Sequence, residues 1–232
     1  MKILVLNGSP KKDSTTMLLT EAFLDGVNSF ESNEIKKVLS YEKNIKYCMG
    51  DHSCWFRQDG HCIIDDDMNE LLDNMVECDL IIWSFPLYCH GIPASLKAII
   101  DRTIAFLKID MVQDGLCVDH EKTFDLSTKK NVFIVGAGYP EYPDNFASLK
   151  MQLQTYFKYP ITLCVNETTL FGVPMPEFVK LKEEKLNQVK EAGFEYAKTG
   201  AISSELVCNI EKTMIPNESY ISMMNSLAPN KD

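Results

Sequence analysis

Met1-Lys2-Ile3-Leu4-Val5-Leu6-Asn7-Gly8-Ser9-Pro10-Lys11-Lys12-Asp13-Ser14-Thr15-Thr16 is the stretch that decides the fold. Ile3 to Leu6 is an unbroken apolar run, as a strand buried on both faces requires. Asn7, Gly8 and Pro10 end it. Ser14, Thr15 and Thr16 then open an amphipathic helix expected to turn Leu18, Ala22 and Phe23 to one side. A strand, a small polar loop and a helix start together make an anion cradle. The first-turn N–H groups lack intrahelical partners, the helix dipole favours negative charge, and hydroxyls add donors. Lys11 and Lys12 place positive charge at its rim. The chain lacks both the Gly-x-Gly-x-x-Gly dinucleotide turn and the Gly-Lys-Ser/Thr triphosphate loop, so the cradle suits a phosphomonoester held by hydroxyls and amides. The plainer alternative is a strand–helix connection with a serine cap.

Working outward, strand and helix signals alternate. Glu34–Leu39 reads as a short edge strand of mixed polarity. Residues 48–62 read as irregular. Asp65, Asp66 and Asp67 are expected to cap a helix carrying Met68, Leu71, Leu72, Met75 and Val76. Asp79–Phe85 reads as a buried strand running into Pro86-Leu87-Tyr88-Cys89-His90-Gly91, and Pro93 suits the first turn of the next helix. Residues 106–130 show no clear element, which for so long a loop suggests a lid or an interface segment. Asn131–Val135 is a fourth strand ending in Gly136-Ala137-Gly138-Tyr139. A helix is expected over 144–158, a fifth strand over Ile161–Val165 and a long helix from Pro176 toward Lys198. This order predicts an α/β fold: a doubly wound, five-stranded parallel sheet in the order 2-1-3-4-5 with helices on both faces. Ligands of such sheets sit beyond the carboxyl ends of the strands at the switch point, where the loops after strands one, three and four converge.

The balance of charges narrows the function. With 232 residues, 45% of them hydrophobic, the chain can build one sizeable core. A net charge of −10 disfavours nucleic acid and requires an anionic ligand to be held by local donors. No apolar run reaches the roughly 20 residues of a membrane helix, and Met1-Lys2-Ile3-Leu4 lacks the layout of a signal peptide. Cysteines inside apolar runs, such as Cys78 and Cys164, read as reduced core residues. A cytoplasmic protein is the expectation.

Several motifs carry a resemblance. They are Asn7-Gly8-Ser9-Pro10 with Ser14-Thr15-Thr16, Cys48-Met49-Gly50 with Cys54-Trp55, Gly60 and Cys62, and Asp66-Asp67-Met68. Ser84-Phe85-Pro86-Leu87-Tyr88 with Gly91, Leu96-Lys97 and Asp101-Arg102 follow in order. Over about its first 105 residues the chain resembles the NAD(P)H-dependent FMN reductases of flavodoxin-like fold, in the branch that includes the iron–sulfur flavoproteins. The resemblance implies FMN, hydride transfer from NADPH or NADH, and a homodimer or homotetramer. It assigns Ser9, Ser14, Thr15 and Thr16 to the phosphate, with Lys11 as a helper. Pro86, Leu87, Tyr88, Cys89, His90 and Gly91 would line the ring, and Gly136 and Gly138 would face its other end. Residues 1–200 would form the FMN-binding domain and 201–232 an extension packing on it or on a partner subunit. His90 and Tyr88 are the candidate catalytic side chains, with a hydrogen-bonded loop residue the favoured reading of His90.

The cysteine run departs from the family pattern. The four thiolate positions of the iron–sulfur members correspond to Cys48, Asp51, Cys54 and Cys62, so the second is an aspartate. A cluster is normally held by thiolates, and the spacing does not match paired-cysteine zinc modules. The favoured reading is a metal-free lid in which Trp55 and Phe56 cover the flavin or a neighbouring subunit. A cluster completed by Asp51, His52 or His61, a zinc site and a redox disulfide remain as alternatives. The expected activity is transfer of a hydride from reduced nicotinamide to FMN and on to a quinone, nitroaromatic or free flavin. The alternative is a flavin electron carrier, with or without an iron–sulfur cluster, that serves partner proteins.

Overall fold

The computed structural model describes residues 1–141 and 144–226. Five parallel strands form the central sheet: β1 (Lys2–Asn7), β2 (Glu34–Leu39), β3 (Leu80–Pro86), β6 (Lys130–Gly136) and β7 (Ile161–Val165), in the order β2-β1-β3-β6-β7. Counting only these strands, the order is the expected 2-1-3-4-5. β1, β3 and β6 are buried and largely apolar between their ends because both of their faces are covered, whereas the edge strand β2 exposes Glu34, Lys36 and Lys37.

Helices α2 (Met68–Glu77), α3 (Ala94–Arg102) and α4 (Ala147–Tyr156) cover one face, where Trp83, Phe85, Phe133 and Phe157 join Leu71, Leu96 and Leu149. Helices α1 (Thr15–Asn28) and α5 (Pro176–Thr199), with α6 (Ser204–Glu211), cover the other through Phe23, Leu24, Val189, Ala192 and Ile210. A last helix, α7 (Asn217–Ser226), follows. Trp83 satisfies its buried indole N–H on the Asn131 side chain at 2.8 Å, so even the largest core residue leaves no orphan donor.

Four expectations change. Residues 106–130 contain an antiparallel hairpin, β4 (Leu107–Asp114) and β5 (Cys117–Lys122), closed by the two-residue turn Gly115-Leu116. Gly115 takes φ +61°, a conformation natural to glycine at such a turn. Leu18 lies outward at 46% exposure, and the buried stripe of α1 is Met17, Leu19, Phe23, Leu24 and Val27, because α5 covers a second side of the helix. α4 begins at Ala147 rather than near residue 144, after Asp144 accepts the Phe146 amide at 2.9 Å. Of the aspartates expected to cap α2, Asp66 alone bonds an amide of its first turn, and Asp67 at the cap position makes no side-chain cap bond. Asp67 accepts the Asn44 amide at 2.7 Å, and Asp66 accepts the Met68 amide at 3.1 Å while pairing with Arg102.

Of the extension, α6 packs beside β7, and Met214 packs against the core under α5. Residues 227–232 of the proposed 201–232 unit lie outside the described residues.

Candidate functional site

Three loops leave the carboxyl ends of β1, β3 and β6, and hydrogen bonds lock them to one another. The Gly8 amide donates to the Ser84 carbonyl at 2.8 Å, closing the ends of β1 and β3 at the switch point. The Leu87 amide donates to the Gly136 carbonyl at 2.8 Å, joining the second loop to the third. A Cβ on Gly136 would lie 3.0 Å from Thr16 Cγ2 and 3.1 Å from Thr168 Cγ2, so only glycine lets the third loop lie this close to the first.

In the first loop, the Asn7 side chain accepts the Ser9 amide at 2.8 Å and donates to the Lys11 carbonyl at 3.3 Å, curling residues 7–11. Ser9 is buried and its hydroxyl accepts the Lys11 amide at 3.2 Å. Ser14 caps α1 by accepting the Met17 amide at 3.2 Å, and its hydroxyl lies 2.9 Å from that of Thr16. The amides of Thr15 and Thr16 lie in the first turn, where no intrahelical carbonyl reaches them, so an anion has two donors at the positive end of the dipole. The Lys11 side chain is exposed at the loop. Lys12 turns toward Glu42, 2.9 Å away, and this ion pair raises its pKa.

The second loop carries backbone strain. Tyr88 and Gly91 exchange both backbone hydrogen bonds around a tight turn that drives Cys89 to φ +49° and His90 to φ +58°. Two successive non-glycine residues in the left-handed region persist only where neighbours hold them. His90 Nδ1 lies 3.1 Å from the Asn145 carbonyl, which only accepts, so Nδ1 donates. The Ser148 hydroxyl donates to the His90 carbonyl at 2.6 Å. Tyr88, Cys89 and His90 are exposed, as is Tyr139 beyond the third loop, so the locked backbone presents an open aromatic surface.

Other residues support this end of the sheet without being visible in the motifs. Asn145 donates to the Pro140 carbonyl and to the Asn166 side chain, and Asn166 donates to the Glu211 carbonyl. Thr168 and Thr169 donate their hydroxyls to the Ala137 and Gly138 carbonyls at 3.0 and 2.8 Å. The run Asn166-Glu167-Thr168-Thr169 after a strand was the available signal.

The cysteine segment lies elsewhere. The nine residues of α3, rising about 1.5 Å each, carry Arg102 roughly 13 Å from the loop after β3. There Arg102 Nε donates to Cys62 Sγ at 3.2 Å, and its other nitrogens donate to Asp66 and the Lys46 carbonyl. Asp51 accepts the Ser53 amide at 3.0 Å. Burial first, then the neighbouring Cys62, pushes the Cys54 thiol above its ordinary value. Among the described residues, no three or more Cys, His, Asp or Glu side chains come together in an arrangement that would hold a metal ion. Cys48, Asp51, Cys54 and Cys62 thus do not fit a four-thiolate cluster. Trp55, expected to cover the flavin or a neighbouring subunit, packs between His52 and His120 and donates to the Ile104 carbonyl at 3.2 Å, bracing the base of the hairpin. Phe56 is exposed.

The sheet order and the anion cradle at its switch point define a flavodoxin-like protein. The chain belongs to the NADPH-dependent FMN reductase family, whose model matches residues 1–138. It is 34% identical over 103 residues, 44% of its length, to an iron–sulfur flavoprotein of Methanocaldococcus jannaschii, and covers 52% of that protein. It is equally 34% identical over 104 residues to an iron–sulfur flavoprotein of Methanosarcina thermophila, covering 45% of this chain and 53% of the relative. The chain spans about half the length of these curated relatives. Among solved structures it resembles an NAD(P)H:quinone oxidoreductase from Methanothermobacter marburgensis, with TM-score 0.60, 16% identity and coverage of 84% and 96% of the two chains. An FMN-dependent NADH-azoreductase from Bacillus anthracis, solved with FMN, gives TM-score 0.57, 15% identity and coverage of 85% and 100%. At such identities these two likenesses speak for the fold.

Proposed function

We propose that this chain is an FMN-dependent NAD(P)H oxidoreductase that reduces a small flat acceptor such as a quinone, nitroaromatic or free flavin. One observation carries the reading: the loops after β1, β3 and β6 are locked together around the start of α1, with exposed aromatics beside a donor-rich cradle. FMN, when bound there, would supply the two-electron redox chemistry between reduced nicotinamide and acceptor.

The protein's part is position and electrostatics. The Thr15 and Thr16 amides, with the hydroxyls of Ser9, Ser14, Thr15 and Thr16 and the charge of Lys11, would hold the phosphate against the repulsion of a net charge of −10. Pro86 to Gly91 would border the ring, and Gly136 and Gly138 would let backbone approach it. His90, donating through Nδ1 to the Asn145 carbonyl, serves as a loop anchor in the first instance. The exposure of Tyr88 and Tyr139 supports an open face that admits planar acceptors. Met111, Leu116 and Val118, exposed on the β4–β5 hairpin, support assembly as a homodimer or homotetramer. Among the described residues, no helix is long and apolar enough to cross a membrane.

The test is to titrate the purified protein with FMN, then add NADPH and NADH separately without oxygen. Uptake of flavin and bleaching of its visible band by either nicotinamide is the expected result. Flavin that binds but is reduced only by a chemical reductant would make the protein an electron carrier, and no uptake of FMN would end the proposal.

A further inference from the structure

We propose that Tyr220, on the last helix, is a positioning residue for the loop after β6, and so completes the flavin site from outside the segment that the family covers. This rests on the FMN reading above.

The third loop is not held by the sheet alone. Tyr220 is 4% exposed, and its hydroxyl donates to the Gly138 carbonyl at 2.7 Å. The Thr169 hydroxyl donates to the same carbonyl at 2.8 Å and lies 2.9 Å from the Tyr220 oxygen, so two hydroxyls converge on one carbonyl. Gly138 is one of the two glycines assigned to the flavin, and it has no side chain with which to anchor itself.

The segment leading to Tyr220 is latched at three further points. Glu167, buried at φ +58°, donates its amide to the Tyr139 carbonyl at 2.9 Å. Its carboxylate accepts the amides of Met214 and Ile215. Asn166 donates to the Glu211 carbonyl at 2.9 Å and accepts from Asn145, whose own carbonyl receives His90 Nδ1. Lys185 donates to the carbonyls of Asn209, Ile210 and Lys212 at 2.8–3.1 Å. The end of α6 and the turn before α7 therefore connect to these loops through short relays, by Asn166 and Asn145 to His90 of the second and by Glu167 to Tyr139 beyond the third. A carbonyl that is bonded twice has no freedom to rotate its peptide, so Tyr220 sets which way the 138–139 peptide faces the ligand.

Tyr196 provides a matched control. It is 3% exposed, and its hydroxyl has no hydrogen-bond partner among the described residues. It packs on Phe23 between α1 and α5. Tyr220→Phe and Tyr196→Phe each remove one buried hydroxyl, but only the first releases Gly138. Tyr220→Phe is expected to weaken FMN about five-fold, the worth of roughly one neutral hydrogen bond, and to shift the visible spectrum of the bound flavin. Tyr196→Phe is expected to change neither. Hydrogen exchange across 137–141, read without ligand, should quicken in Tyr220→Phe alone. If Tyr220→Phe does not fold, Thr169→Val is read in its place, because it removes the other bond to the same carbonyl. Unchanged exchange and FMN affinity in the folded variant, or equal losses in both tyrosine variants, would overturn the proposal. Wild-type protein that binds no FMN would instead end the functional reading, while the exchange experiment would still judge the role of Tyr220.

Discussion

Arg102 and Asp66 form a charged pair with no solvent exposure, and the pair decides how residues 46–66 fold. Arg102 joins the Lys46 carbonyl, the Cys62 sulfur and both oxygens of Asp66, so one guanidinium gathers three points of an otherwise irregular segment. Burial alone would raise the Asp66 carboxyl. Arg102 and the amides of Lys46 and Met68 override that and hold it below its ordinary value of 3.8. The unfolded chain therefore takes up the proton first as pH falls. The stability contributed by this group is present above pH 3.8 and is lost as pH falls through the lower, folded value. Asp66→Asn leaves the buried cation unpaired and should cost about 3–5 kcal/mol in urea unfolding near neutral pH. The same variant should lose part of the acid-induced decline seen in wild type. The motifs Asp66-Asp67-Met68 and Asp101-Arg102 were readable, and with them Arg102 itself. Its partner was not readable, because 35 intervening residues fold between the two.

At the scale of elements, α1 and α5 meet more closely than ordinary helices, which pack with axes about 8–10 Å apart. A Cβ on Gly26 would lie 1.9 Å from the Lys190 carbonyl oxygen, and one on Gly193 would lie 2.0 Å from that of Phe23. Both collisions are with backbone, so no rotamer change relieves them. Gly193→Ala must push the helices apart and should destabilise by about 3 kcal/mol, lowering Tm by roughly 6–12 °C in a chain of this size. Differential scanning calorimetry checks it, with Ala192→Gly as a cavity-forming comparison at the next residue. Both helices were legible from periodicity, α5 from Pro176 onward, yet the pairing of their glycines was not. The hairpin was missed although Asp114-Gly115 is a strong turn signal. Its strands bury little, so Lys108, Asp110 and Gln113 alternate with apolar residues that remain exposed, and no core-facing pattern marks them.

Across the whole molecule, the buried Lys185 couples the α5 surface to the end of α6. Desolvation lowers its pKa from 10.5 to about 8, against the pull of Glu167. Between about pH 8 and 10.5 the unfolded chain holds this proton and the folded chain does not, so Lys185 makes unfolding harder as pH rises across that window. The stability of wild type relative to Lys185→Met is accordingly expected to move in favour of wild type from pH 8 to 10.5. Paired denaturation series at fixed ionic strength read this difference directly. No such movement would mean that the ammonium keeps its ordinary value in the folded state.

The sequence by itself determined the strands, their alternation with helices and the polar loop and helix start after β1, because these depend on local quantities. Apolar runs demand burial on both faces, Asn-Gly-Ser-Pro breaks a strand, and a serine before two threonines starts a helix. Tertiary structure alone decided which side chains meet: Arg102 on Cys62 and Asp66, Trp55 on the hairpin, Thr16 against Gly136 and Tyr220 on Gly138. Each of these contacts joins residues distant along the chain. Their geometry is set by how whole elements pack, and no local propensity encodes it.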